Sequence, residues 1–353
     1  MSKLLTIVIP AYNMQDYLRR CLDSVCVESV MDDVQVIVMN DGSTDGTSEI
    51  AHSYQRRYPH YIHVIDKENG NYGSCMNVAL PLAKGKYFRT LDADDMLDSR
   101  VFPSLVDDLR STQADIIISN RVNRRFYDEK FIEESVFGAN IQQNKDIPIM
   151  DSLLLDKSVV EKFHVMNIIY KTSLLQNMGF RWTEGVFYSD HEFIIMPLRH
   201  VKMVRYVSYP LYQYFVGREG QSTSMTQSNK NFMSRYLVTD RILDDLLNDK
   251  PRCPFVYGMY LAVLMRLLPN LYNVLYLDRT NFSHYIELLE GKVHKDARLV
   301  ALTEDIDDFQ IYRGGKYVFA YRHNKLLFYI FVLIYNLRKS SIYMTLRNVL
   351  LRK

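Results

Sequence analysis

Cysteine is scarce in this chain of 353 residues. Cys21, Cys26, Cys75 and Cys253 have neither metal-like nor disulfide-framework spacing, so a cysteine-stapled fold is excluded and reduced packing residues in a cytoplasmic protein are expected. Long apolar runs are also missing. The stretch Leu4 to Ile9 stops at Pro10, too short for a signal peptide. Arg266 and Pro269 interrupt Phe255 to Leu277, and Leu326 to Tyr335 is short, so no clean membrane-spanning helix is expected. An excess of one charge is lacking as well: 43 basic residues against 41 acidic ones leave a net +2, which gives no global field for nucleic acid. The phosphate-binding glycine motifs are absent. No G-x-x-x-x-G-K-[ST] occurs, and PAYNMQ stands where a dinucleotide fold needs G-x-G-x-x-G, so a bound nucleotide has to be held by side chains and a metal.

What is present is a repeating strand, loop and helix. Leu4 to Ile9 is a continuous apolar run, the pattern of a strand buried on both faces in a parallel sheet. Leu18, Leu22 and Val25 then recur at helical spacing. Val34 to Met39 reads as a second strand, followed by the turn NDGSTDG and a helix to about Tyr58. Tyr61 to Ile65 reads as a third strand, followed by a glycine-containing loop at Asn69 to Gly73 and a helix to about Lys84; Tyr87 to Leu91 reads as a fourth. A helix at Val101 to Ser111 and a strand at Asp115 to Ser119 continue the alternation, which predicts an α/β fold with a doubly wound sheet. Ligands of such sheets sit beyond the carboxyl ends of the strands, where Asn13, Asp41, Asn69 and the acidic stretch after the fourth strand should converge.

That stretch, RTLDADDMLD, crowds Asp92, Asp94 and Asp95. Like charges at ~4 Å repel by roughly 1 kcal/mol in water and several-fold more near a protein surface, so the cluster needs a counter-charge, a proton or solvent. Mg²⁺ or Mn²⁺ held by carboxylates at i and i+2 is one answer. An acidic loop capping the helix that follows is the other, and the stretch alone does not choose between them.

Four segments taken together carry a family resemblance. TIVIPAYN, VIVMNDGSTDGT, KENGNYGSCMNVAL and AKGKYFRTLDADDMLD, in this order, resemble the glycosyltransferase family 2 enzymes, densely over the first 120 residues and more weakly to about residue 225. The resemblance implies a GT-A, Rossmann-like nucleotide-sugar-binding domain. It implies that Pro10, Ala11, Tyr12 and Asn13 line a base pocket, that Asp41 accepts a hydrogen bond from a uracil-type imide, and that Asn69 and Asn77 belong to the donor site. It also implies that Asp92 and Asp94 are the D-x-D pair on Mn²⁺ or Mg²⁺, with Asp94 the direct ligand and Asp92 on metal or donor ribose. Asp95 is left for the loop and helix cap. Three departures stand out: Asn40 replaces the first acid of the D-G-S turn, Met14 replaces a frequent glutamate, and Met76 replaces a frequent arginine.

On the acceptor side, FRWTEGVFYSDHEFIIMPL sets Asp190 and Glu192 among Trp182, Phe187, Tyr188 and Phe193. Apolar rings should raise a carboxylate's pKa, as a general base requires, and offer faces for a sugar; the plain alternative is a helix start capped by Ser189 or Asp190. The resemblance favours Asp190 as the base, with Glu192 in reserve and His191 behind both. YQYFVGREGQSTS read alone favours an ordinary glycine-rich turn with a surface ion pair; the resemblance implies a loop that closes over the donor, with Arg218 as the guanidinium shaped to clamp a diphosphate and Gln221 as a weaker candidate. The domains expected are 1–225, divided into a nucleotide half (1–120) and an acceptor half (121–225), and a mostly helical 226–353. The tail from Lys316 to Lys353 mixes aromatic and aliphatic residues with Lys and Arg, which suits an anionic membrane surface, a packed terminal helix or an oligomer contact equally. The implied activity is inverting, metal-dependent transfer of a hexosyl or N-acetylhexosaminyl group. The donor would be a nucleoside-diphosphate sugar of uridine type and the acceptor a glycan or lipid-linked hydroxyl. The rival readings are a non-catalytic binding protein on the same fold and a nucleotidyltransferase, whose glycine-rich first loop is missing.

Overall fold

The opening apolar run forms β1 (Lys3–Ala11), and Ile7, Val8 and Ile9 are all buried, as a strand covered on both faces requires. The structure, a computed structural model, describes residues 3–125, 131–134, 143–151, 163–216, 231–274, 279–304 and 322. β2 (Val34–Asp41) is buried along its whole length, while β3 (Ile62–Lys67) lies at the edge. With β4 (Gly85–Thr90) they form a parallel set in the order β3-β2-β1-β4. The helices between them are α1 (Leu18–Val25), α2 (Thr47–Arg57) and α3 (Asn71–Ala79). α1 buries Leu18, Cys21, Leu22 and Val25, the stripe read from sequence. Because β1 lies between β2 and β4, the loops after β1 and β4 open on a switch point of the sheet, where such folds bind ligands. The pairing register sets Ala11 beside Asn40 and Asp41 beside Lys67, so the three loops start level.

Beyond α4 (Phe102–Ser111) the expected alternation breaks. β6 (Ile116–Arg125) does not join β4. β9 (Ile168–Lys171) enters between them, antiparallel to both, so the sheet is parallel in its first half and mixed in its second. The four residues of β9 are too few to show a period, which is why the sequence did not mark them as a strand. β10 (Met203–Val216) runs parallel to β6 and irregularly so around Pro210, which has no N–H for the ladder. β5 (Met96–Leu97) and β8 (Asp146–Pro148) pair with β10, and β7 (Phe131–Glu134) pairs with β6. All four cysteines are free thiols, three of them buried.

Two compact units divide the chain: Met1–Ser222 with Pro251–Met259, and Thr223–Lys250 with Tyr260–Lys353. In the second, α5 (Phe232–Asn248) meets α7 (Arg279–Val293) through Tyr236 and Tyr285, whose rings are 4.8 Å apart, and through Lys292, which donates to Asp240. α6 (Pro254–Val274) and α8 (Ala297–Glu304) are the other described helices of the carboxyl-terminal region. Ile242, Leu246, Leu264 and Leu268 are buried as their spacing predicts, whereas Leu261 is only partly so. Among the described residues no helix is long and apolar enough to cross a membrane.

Candidate active site

The first two loops are latched to each other. Asn13 has a positive φ of 53°, its N–H donates to Ser43 Oγ (3.1 Å), and its Oδ1 accepts from Thr44 N (2.8 Å). Met14 N donates to Thr47 Oγ1 and Gln15 N to Asp45 Oδ2, so the PAYNMQ loop is held along one side by the D-G-S turn. Pro10 and Ala11 end β1, while Tyr12 is 48% exposed and presents its ring outward. A glycine is required at Gly42: its φ is +75°, and a Cβ there would meet Asn69 N at 2.9 Å.

Asp41 is almost wholly buried. Its Oδ1 accepts from Lys67 Nζ (2.6 Å) and Gly70 N (3.0 Å), while Asn69 Nδ2 donates to its backbone carbonyl (3.0 Å). Both Asp41 and Lys67 are largely shielded, so the pair is a local neutral unit at the carboxyl end of β2. Lys67 was not singled out in the sequence; its only signal was its place at the start of KENG. Asn40, where the family often has an acid, donates to Asp66 (2.7 Å).

The acidic stretch divides its labour. Asp95 is fully buried and accepts from Tyr212 Oη (2.7 Å) and Phe215 N (2.8 Å), so it anchors the loop to β10 and does not cap α4. The residue bonded at the start of α4 is Asp98, whose Oδ1 accepts from Arg100 N and whose carbonyl accepts from Phe102 N. Burial, then the charges of Asp92 and Asp94, hold the Asp95 pKa well above the carboxylate range. Tyr212 Oη also accepts from Asp92 N (3.2 Å), and Arg20 of α1 donates to the Asp94 carbonyl (2.6 Å) while stacking on Phe215 at 3.7 Å. Asp92 and Asp94 remain as the partly exposed carboxylates of the loop. Among the described residues no group of three or more His, Cys, Asp or Glu forms a metal-binding cluster. Two hard oxygen donors at i and i+2 fit a Mg²⁺-type cation whose shell is completed by phosphate and water.

α3 ties this half to the segment at residues 182–185. Asn77, expected at the donor site, gives its amide to the 182–184 segment: Nδ2 donates to Trp182 O (2.9 Å) and Glu184 Oε1 (2.7 Å), and Oδ1 accepts from Trp182 N (2.9 Å). Gly185 N donates to Gly70 O, and Gly73 packs so closely that a Cβ would lie 2.2 Å from Thr183 O. These contacts set the approach to the short helix that follows (Asp190–Ile195), at whose first residue the candidate base sits.

Three expectations about that helix change. Trp182 and Phe193 are buried and stacked on each other at 5.2 Å within a cluster that includes Phe180 and Phe88, so they are core and not a sugar platform; Phe187 is exposed. Glu192 is fully buried and accepts from Thr183 N (2.8 Å) and Thr183 Oγ1 (2.6 Å), so the reserve base is a loop anchor. Asp190 moves opposite to expectation: burial pushes its pKa up, but His191 and hydrogen bonds from the His191 ring and nearby backbone outweigh it and leave it below the ordinary value. Asp190 is 34% exposed, with His191 Nδ1 at 3.4 Å. Ser189 holds the N-cap position without a side-chain cap bond. Arg218, Gln221 and, apart from Arg322, the tail from Lys316 lie outside the described residues.

Residues 6–171 match the family model described as glycosyl transferase family 2. The chain is 30% identical over 236 residues to an uncharacterized glycosyltransferase of Mycoplasma pneumoniae, the MG025 homolog, covering 64% of this chain and 72% of that one. It is 26% identical to the uncharacterized glycosyltransferase EpsJ of Bacillus subtilis, over 61% of each chain. It is 25% identical to the minor teichoic acid biosynthesis protein GgaB of the same organism, over 88% of this chain and 34% of that one. It therefore spans less than two thirds of either Bacillus protein. Its backbone is similar to that of S. aureus TarS 1-349 in complex with UDP-GlcNAc, with a TM-score of 0.63 at 18% identity, covering 90% of this chain and 91% of that one. With the strand order, the acidic loop and the Mycoplasma relative in agreement, the chain belongs to glycosyltransferase family 2 and has the GT-A fold.

Proposed function

We propose that this glycosyltransferase moves a hexosyl or N-acetylhexosaminyl group from a uridine diphosphate sugar to a hydroxyl of a polysaccharide or cell-surface glycan, with inversion at the anomeric carbon. The observation that carries the reading is the docking of α3 on the 182–185 segment, which brings the loop of a candidate base up to the nucleotide half. The family membership supports it, as do a relative named for teichoic acid biosynthesis and a similar fold in complex with UDP-GlcNAc.

In this reading Tyr12 stacks on the base, and the Asp41 carboxylate, held in place by Lys67, accepts from its imide. Asp94 and Asp92 hold Mn²⁺ or Mg²⁺, which when bound supplies positive charge against the departing diphosphate. Arg20 and Tyr212 fix the backbone of that loop. Asp190 takes the acceptor proton, and Arg218 enters on its sequence alone as a diphosphate clamp. The basic, aromatic tail suits, by composition, the inner face of a membrane where lipid-linked acceptors reside.

The test is release of free nucleotide from a panel of nucleotide sugars with Mn²⁺ or Mg²⁺ and candidate glycan acceptors. Transfer by the wild type, its loss in Asp190→Asn and weakened cation-dependent donor binding in Asp94→Asn are the expected results. Donor binding without any turnover, unchanged by Asp190→Asn, would make the chain a binding protein instead.

A further inference from the structure

Tyr72 is the second residue of α3, next to the glycine that packs against Thr183. Its ring is half-buried, and its hydroxyl oxygen is buried without a hydrogen-bond partner. Buried polar atoms are nearly always paired, so an orphan is a place where a ligand can complete the bond. The surroundings narrow the ligand. Asp92 at the end of β4 and Asp190 at the start of the 190–195 helix both act on the phenol, and with burial as the larger cause they keep its pKa well above the ordinary value. Thr90 opposes this through a contact that does not amount to a formed hydrogen bond. The phenol is therefore an O–H donor at any physiological pH, and it bonds neither carboxylate.

In the site proposed above the cation held by Asp92 and Asp94 meets the diphosphate, which leaves oxygens other than those of the phosphates for this donor. An uncharged oxygen suits it. In the site proposed above, the region between Asp92 and Asp190 is where the transferred sugar lies, with the diphosphate on one side and the acceptor hydroxyl on the other. We propose that the Tyr72 hydroxyl donates a hydrogen bond to an uncharged oxygen of the transferred sugar, a hydroxyl or an acetamido carbonyl, and so helps to set which donor sugar the enzyme accepts. This rests on the reading of the site as a uridine diphosphate sugar transferase. The rigidity needed for discrimination comes from α3 itself, held on one side by Gly73 and Asn77 against the 182–184 segment.

The experiment compares wild type with Tyr72→Phe, which removes one oxygen that has no protein partner and so leaves folding intact. Binding of UDP alone and of UDP-glucose, UDP-galactose, UDP-GlcNAc and UDP-GalNAc is measured by calorimetry, with kcat/KM and its pH profile for the accepted donor. UDP affinity should stay within about 2-fold, while the preferred sugar's advantage over UDP should fall by about 10-fold, the size of one lost hydrogen bond to a well-fitted hydroxyl. The acid limb of the pH profile should not move. An unchanged advantage, an equal loss for UDP and all four donors, or a shifted acid limb with donor preference intact would overturn the proposal. Failure of the wild type to bind any of the four would instead overturn the underlying reading, and the proposal with it.

Discussion

At Asp190, burial and pairing pull in opposite directions, and pairing wins. For the base proposed above, the chemical consequence is a carboxylate already ionised well below neutrality. The acid limb of kcat/KM against pH should therefore fall at or below the ordinary carboxylate range, about 4, and not near 7. His191→Ala removes the partner that lowers the pKa, so the limb should move to higher pH; an unmoved limb would disconnect His191 from the base. Asp95 is the opposite case. Its folded-state pKa is raised, so the folded chain binds that proton more tightly than the unfolded chain, and stability falls as pH rises from about 4 through the raised value. In metal-free buffer, urea unfolding should find Asp95→Asn gaining on the wild type as pH rises across that interval. Asp95→Ala should lose about 1–3 kcal/mol for each donor it orphans, Tyr212 Oη and Phe215 N. The sequence set Asp95 apart for the loop and helix cap but did not show what it binds, because its partners lie 117 and 120 residues away.

At the scale of elements, α3 is a strut between the third loop and the 182–185 segment. Gly73 allows its approach to Thr183, and Asn77 seals it with both ends of one amide. Gly73→Ala places a Cβ 2.2 Å from a backbone oxygen, which only a shift of helix or loop relieves. Overpacking of this kind costs about 1–3 kcal/mol, and a base displaced by ~1 Å loses about 10²-fold in rate. Thermal melting and transfer kinetics should show the rate loss outrunning the stability loss. The glycines of the third loop were legible as a turn signal, and the helix after them was predicted; that it docks on residues 182–185 was not. Hydrogen bonds spanning 105 residues leave no trace in local periodicity. The same distance effect misled the reading of Trp182 and Phe193, whose spacing suits either a sugar platform or a core and whose stacking decides for the core.

For the whole molecule, a nucleotide that binds only the folded chain stabilises it, by about 2.7 kcal/mol at a hundred times its Kd. UDP with Mn²⁺ should give this gain, and chelation should diminish it. Hydrogen exchange should then slow at 41–43, 69–73 and 92–98, all in the first unit, and not in the described helices of the second; protection confined to the second unit would move the site. The sequence by itself determined the four parallel strands, the helices between them and the polar loops at their carboxyl ends, because apolar runs, helical periods and glycine turns are local signals. Tertiary structure alone decided that β9 lies between β4 and β6 and that Lys67 neutralises Asp41. It also decided that Glu192 is an anchor and that the Asp190 pKa goes down. Each of these depends on which distant groups are brought within hydrogen-bonding or Coulombic reach, and only the folded chain sets that distance.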